Sequence, residues 1–134
     1  MEKIAVFPGS FDPFTIGHEE IVRRGLKLFD KIIIAVGLNP VKKEFLSTDC
    51  RIRLIKKAFE DTDRVSVEPY SGLTVDFCER VNSHIIIRGL RTAADFEYER
   101  AVGQANRAMD GRIETGVILT KTIHTFVSST NVRN

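Results

Sequence analysis

No apolar run in this 134-residue chain approaches the roughly 20 residues that a bilayer-spanning helix needs. The first eight residues, Met1 to Pro8, lack the long apolar core and the cleavage site of a signal peptide and read as a strand. The expected location is therefore the cytoplasm. Glycine and proline number 9 and 4, far too few for a collagen-like chain or a linker. Neither sign of charge dominates: 20 Lys and Arg against 18 Asp and Glu give a formal net charge of +2. Nucleic-acid binders usually carry a clear basic excess or stripe, so an anionic ligand here is expected to be small and met locally. The two cysteines, Cys50 and Cys78, have no C-x-x-C partner or neighbouring histidine to suggest zinc. A reducing cytosol would keep them apart, and both read as buried or semi-buried thiols. What remains is 43% apolar and 28% charged residues, enough to bury a core and too apolar for a disordered tail. The length suits one domain.

Short runs rich in Ile and Val alternate with helix-like stretches. Strands are expected at Lys3–Phe7, Lys31–Leu38, Arg64–Glu68, His84–Arg88 and Thr115–Leu119. Ile32–Val36 and Ile85–Ile87 are apolar without a break, the pattern of parallel strands covered on both faces. Helices are expected at His18–Phe29, Thr48–Phe59, Leu73–Val81 and Ala94–Met109. The first has Glu19 and Glu20 in its opening turn and Arg23, Arg24 and Lys27 later, an order that suits the helix dipole. The second opens on Thr48-Asp49 as a cap and sets Ile52, Ile55 and Phe59 at helical spacing. In the fourth, Ala94, Tyr98, Ala101, Ala105 and Ala108 form one stripe. The fold class is α/β: a doubly wound, five-stranded parallel sheet with right-handed crossovers and helices on both faces. Ligands of such sheets sit beyond the carboxyl ends of the strands, at a topological switch point.

Four loops at those ends carry groups suited to phosphate. After the first strand, Gly9 and Gly17 let the backbone approach a ligand, Ser10 offers a hydroxyl, and His18 stands where a helix begins. A Gly-His pair alone is more often a turn glycine and a surface histidine; its place between an N-terminal strand and an amphipathic helix favours the ligand role. After the second strand, Lys42 or Lys43 offers a point charge, and a solvated pair of lysines is an equal alternative. The fourth strand ends in Arg88-Gly89-Leu90-Arg91, two forked donors that either meet phosphate or pair with the acidic residues that follow. Val127-Ser128-Ser129-Thr130 follows the fifth strand with three hydroxyls in a row, more than helix capping needs. Together the four loops point to a nucleotide site.

With those residues in view, the sequence resembles the phosphopantetheine adenylyltransferases, nucleotidylyltransferases with a Rossmann-like fold and a T/H-x-G-H signature. The signature stands as Thr15-Ile16-Gly17-His18, preceded by Pro8-Gly9-Ser10-Phe11-Asp12-Pro13. The hydroxyl-rich second signature stands as Val127 to Thr130. Arg88-Gly89-Leu90-Arg91 with Asp95-Phe96-Glu97-Tyr98-Glu99 is the part most specific to this family. The likeness covers the whole chain without insertions. It implies transfer of the adenylyl group of ATP to 4′-phosphopantetheine, giving dephospho-coenzyme A and pyrophosphate. By the same resemblance His18, Lys42 and Arg91 are the catalytic groups. Ser10, Phe11, His18, Gly89, Leu90, Arg91 and Glu99 would contact ATP, as would His124, Thr125, Phe126, Val127, Ser128, Ser129 and Thr130. Ser10, Lys42, Thr74 and Arg88 would contact phosphopantetheine. Magnesium as cofactor, held chiefly by phosphates and water rather than by a protein metal site, feedback inhibition by coenzyme A and assembly as a homohexamer are also implied.

The chemistry needs no protein base, since a phosphate monoester is mostly dianionic at neutral pH and is already a nucleophile. Positioning and charge stabilisation are what the enzyme must supply. Ser10 stands where many relatives carry Thr, which keeps the hydroxyl, and His124 stands where many carry a larger aromatic. Relatives continue past the equivalent of Asn134, so the expectation is a single domain over residues 1–134 without their C-terminal helix. Two rival readings are another nucleotidylyltransferase of this fold, acting on glycerol phosphate or nicotinamide mononucleotide, and a noncatalytic sensor of adenine nucleotide or coenzyme A. The Arg88–Arg91 segment and the absence of any tryptophan ring site argue against the first; intact His18, Lys42 and Arg91 argue against the second.

Overall fold

A computed structural model describes residues 2–38, 44–90 and 113–119. Along the chain run β1 (Ile4–Gly9), α1 (Ile16–Gly25), β2 (Lys31–Gly37), α2 (Thr48–Ala58), β3 (Val65–Tyr70), α3 (Thr74–Arg80), β4 (Ile85–Leu90) and β5 (Glu114–Leu119). The strands form one parallel sheet in the order β3-β2-β1-β4-β5. The chain thus winds outward from β1 to β3, then returns to place β4 on the other side of β1. That reversal makes β1/β4 the switch point. The fourth expected helix, Ala94–Met109, lies outside the described residues.

Strand alternation sorts the apolar side chains into two layers. Ala5, Phe7, Ile32, Ile34, Val36 and Ile87 pack beneath α1 and α2, against Ile21, Val22, Ile55 and Phe59. Val6, Ile33, Ala35 and Ile86 pack on the other face, against Val75, Phe77 and Cys78 of α3. Each fully buried branched or aromatic side chain contributes about 1.5–3 kcal/mol relative to an exposed one, so the unbroken Ile runs of β2 and β4 anchor both layers at once. Cys78 is buried and Cys50 half-buried, and both are free thiols, as expected.

β1 runs two residues past its expected end and takes in Pro8, which a central strand ordinarily excludes for want of an N–H. The alternation of the ladder resolves this. The carbonyl of Lys3 accepts from Lys31 on the β2 side, whereas that of Ile4 accepts the Ser83 hydroxyl on the β4 side. Ile4, Val6 and Pro8 therefore turn their backbone groups toward β4. Pairing with β4 runs through Ala5↔Ile85 and Val6↔Ile86, and Pro8 comes just beyond it. Pro8 has no N–H to continue that ladder, so the pairing with β4 ends at Val6↔Ile86 while the pairing with β2 runs on to Gly9↔Val36.

Helix ends also differ from the periodic reading. α1 begins at Ile16, two residues before the expected His18, because Thr15 and not Gly17 is its cap. α2 and α3 end one residue short of their expected bounds. α1 closes at Gly25 instead of Phe29, because bonds such as Lys27 N–H to Arg24 carbonyl tighten the last turn. Arg64, the residue before β3, then donates to the carbonyls of Leu26, Phe29 and Asp30. The cap of α2 is Ser47, whose hydroxyl accepts the Cys50 N–H at 3.2 Å, and Thr48 is already helical.

Candidate active site

Beyond the end of the β1–β4 ladder, the loop after β1, the start of α1 and the end of β4 enclose a cleft of about 540 Å³. Its walls are the 7–13 segment, the first turn of α1 and the end of β4. First-turn amides of a helix lack partners within it, so such a wall suits an anion.

His18 is the third residue of α1, and Thr15 is the cap. The Thr15 hydroxyl accepts the His18 N–H at 3.3 Å, while His18 Nδ1 accepts the Thr15 N–H at 2.9 Å. This is a capping box with histidine in the place that glutamate or glutamine usually takes. A backbone N–H can only donate, so Nδ1 is the unprotonated ring nitrogen and the neutral imidazole carries its proton on Nε2. Aromatic rings hold the imidazole from several sides. Phe11 stands perpendicular to it with centroids 5.0 Å apart, Phe14 lies at 5.3 Å and Phe7 at 6.2 Å. A ring so constrained gives up little further rotamer freedom when it donates to a ligand oxygen.

The two glycines of this loop have different uses. A Cβ on Gly9 would lie 2.8 Å from Cζ of Phe11, so the space that Gly9 leaves is filled by the Phe11 ring and not by a ligand. A Cβ on Gly17 would meet nothing closer than Thr15 Oγ1 at 3.7 Å, which keeps the first turn of α1 approachable.

On β4, Arg88 and Gly89 both line the cleft, and strand alternation sends them to opposite faces of the sheet. Gly89 shares the side of Ile87 and lies against Ile21 of α1. Arg88 shares the side of Ile86, which is the α3 face. Thr74 opens α3 on that same face and its hydroxyl lies 3.0 Å from that of Tyr70, but it is not part of the cleft lining. Of the residues singled out from sequence, the cleft brings together Ser10, Phe11, His18, Arg88 and Gly89. Leu90 closes β4, its backbone opposite Leu119. Lys42, Arg91, Glu99 and the stretch from His124 to Thr130 lie outside the described residues.

Sequence reasoning missed the aromatic enclosure of His18 and the way its loop is tied down. Three of the nine phenylalanines fall between positions 7 and 14, a concentration that could have flagged the first. Asp12, at the cleft wall, accepts the backbone N–H groups of Phe45 and Leu46 and is not aimed at a ligand. Among the described residues no three His, Cys, Asp or Glu side chains gather into a metal-binding group, and no helix is long and apolar enough to cross a membrane.

The cytidylyltransferase-like family matches residues 6–134. A phosphopantetheine adenylyltransferase of Flavobacterium johnsoniae is 48% identical over 97% of this chain and 85% of its own length. One from Cytophaga hutchinsonii is 47% identical over 100% of this chain and 89% of its own. Among solved structures, a bifunctional NMN adenylyltransferase/ADP ribose pyrophosphatase from Francisella tularensis superposes with a TM-score of 0.66. At 21% identity, over 88% of this chain and 38% of that one, it bears on the fold alone.

Proposed function

The chain belongs to the cytidylyltransferase-like family, among its phosphopantetheine adenylyltransferases, and we propose that the β1/β4 cleft is where it transfers the adenylyl group of ATP to 4′-phosphopantetheine. The products are dephospho-coenzyme A and pyrophosphate. The observation that carries this reading is His18: a cleft-lining imidazole locked by its cap and by three phenylalanines, with its proton on Nε2.

In the reaction a phosphate oxygen of phosphopantetheine attacks the α-phosphorus of ATP, and the bond to pyrophosphate breaks. The attacking group is an anion, so no side chain has to remove a proton. His18 Nε2–H donates to an α-phosphate oxygen as charge builds there, a role supported by its fixed ring and its place at a helix N-terminus. Lys42 and Arg91 are proposed to share that charge. The division of β4 between two faces supports a division of substrates. Gly89, with Phe11 and His18, lies on the α1 side and is assigned to ATP, together with Leu90, Glu99 and the His124–Thr130 stretch. Arg88, on the α3 side with Thr74, is assigned to the acceptor, with Ser10 and Lys42 toward its phosphate. No covalent intermediate is needed, and both cysteines are in helices away from the cleft lining.

We take MgATP as the nucleotide form. Among the described residues the one carboxylate at the cleft wall is Asp12, and it is engaged by two backbone N–H groups. The ion is assigned to the nucleotide's own phosphates and to water, and no step is routed through it. Coenzyme A as feedback inhibitor, a homohexamer and a cytoplasmic location belong to the same proposal and rest on the sequence resemblance.

The test is pyrophosphate release from MgATP with three acceptors at equal concentration. We expect release with 4′-phosphopantetheine, little with glycerol 3-phosphate or nicotinamide mononucleotide, and poor substitution of CTP for ATP. Comparable turnover with another acceptor would overturn the substrate assignment, and no release at all would favour a sensor.

A further inference from the structure

Two ties run from the loop after β1 to the start of α2. Asp12 accepts the N–H groups of Phe45 at 2.6 Å and Leu46 at 2.7 Å, one on each carboxylate oxygen. Arg51 donates from Nη1 to the Ser10 carbonyl at 2.7 Å, and from Nη2 to the Glu44 carboxylate and the Thr48 hydroxyl. Arg51 is 2% exposed and sits four residues before the fully buried Ile55, an inward position where the helical period calls for an apolar side chain. Burying the guanidinium costs desolvation that a carboxylate 42% exposed, Glu44, only partly offsets, so stability alone does not account for arginine there. Its own hydrogen bonding does not either, because Nε is buried with no partner.

What the two residues hold does account for them. The Ser10 carbonyl belongs to the peptide unit that enters Phe11, and Asp12 follows on the other side. Phe11 has φ 51, the left-handed region that a bulky residue adopts only under constraint. Such strain persists where surrounding contacts over-determine it. Here the contacts bracket the strained residue, whose ring packs onto Gly9 and stands perpendicular to His18.

We propose that Arg51, seconded by Asp12, is a positioning residue that holds the Ser10–Phe11 turn in shape, setting the Ser10 hydroxyl for the acceptor phosphate and the Phe11 ring behind His18. This rests on the adenylyl-transfer reading of the cleft. The test compares Arg51→Gln, Arg51→Lys and Asp12→Asn with the wild type, measuring kcat, both KM values and the melting temperature. Arg64→Gln serves as a variant whose stability loss originates at the far end of α1. Arg51→Gln should raise the KM for 4′-phosphopantetheine and lower kcat by about tenfold each, the scale of one lost charged hydrogen bond. The ATP KM should move less. Arg51→Lys should recover part of the loss, since an ammonium can still donate to the Ser10 carbonyl. Arg64→Gln should melt lower with both KM values unchanged. If Arg51→Gln does not fold, Asp12→Asn should still raise the acceptor KM several-fold, because an amide accepts with only one of its two ends. Wild-type KM values in the folded Arg51 or Asp12 variants would overturn the positioning role alone, as would an equal KM change in Arg64→Gln. A wild type that releases no pyrophosphate would overturn the adenylyl-transfer reading and this role with it.

Discussion

A methyl group added at Gly89 would sit 2.1 Å from Cδ1 of Ile21 and 3.0 Å from its Cγ1. Ile21 is 6% exposed and packs in one cluster with Phe7, Val22 and Ile87, so the side chain cannot simply turn into solvent. Gly89→Ala is an overpacking change, and such changes cost about 1–3 kcal/mol. In a domain of this size that lowers the melting temperature by roughly 3–10 °C. The partner substitution removes the closer of the two clashing atoms: Ile21→Val deletes Cδ1 and alone costs about 0.5–1.5 kcal/mol. Were the two sites independent, the double variant would lose about 1.5–4.5 kcal/mol. If the clash is the cause, the double variant should be no less stable than Gly89→Ala alone, a coupling of about 1 kcal/mol. Urea unfolding of the four proteins measures this directly. Additivity within about 0.5 kcal/mol would refute the packing argument. The same cycle reports on function, because α1 carries His18: a helix pushed off β4 should lower kcat in Gly89→Ala and recover in the double variant.

His18→Ala should lower kcat by about 100–1,000-fold with little change in either KM, the usual loss of one transition-state donor; a folded variant with near-normal turnover would contradict the assignment. Arg64→Gln removes a guanidinium that bonds the carbonyls of Leu26, Phe29 and Asp30, and should cost about 1–2 kcal/mol in thermal unfolding, its exposure limiting the figure. Asp61 is held below its ordinary 3.8 by the hydrogen bond from Arg23. A lowered carboxylate pKa stabilises the fold above the unfolded value and loses that contribution as pH falls through the folded one. Acid unfolding below about pH 4 should therefore start at higher pH in Arg23→Gln, and the difference should shrink in high salt because the pair is exposed. Identical acid limbs would show that the pair contributes nothing.

Much of the fold was legible because hydrophobic period is a local property. Ile32–Val36 and Ile85–Ile87 announced strands covered on both faces, and each is buried in both layers. The boundaries shifted where a distant contact intervened. β1 extends through Pro8 on its pairing with β2, beyond the end of its ladder with β4, and α1 closes where Arg64, 38 residues beyond Leu26, reaches the carbonyls that follow it. At the site, Thr15 to His18 was legible as a motif, while the reason for its spacing was not. That His18 closes a capping box through Nδ1 follows from helix geometry, which places the third residue's side chain back over the cap.

The order of residue types along the chain determined the parallel α/β class, the loops worth searching and, through its motifs, the family. Tertiary structure alone decided which of those loops meet. β1 and β4 are neighbours although two strands and three helices separate them in sequence, and that pairing sets Arg88 and Gly89 beside His18. It decided as well that Gly9 makes room for a phenylalanine, that Asp12 ties two loops together, and that Arg51 is buried on an otherwise apolar helix face. Each of these depends on contacts between residues far apart in sequence. Local period says which way a side chain faces; it carries no information on what stands opposite.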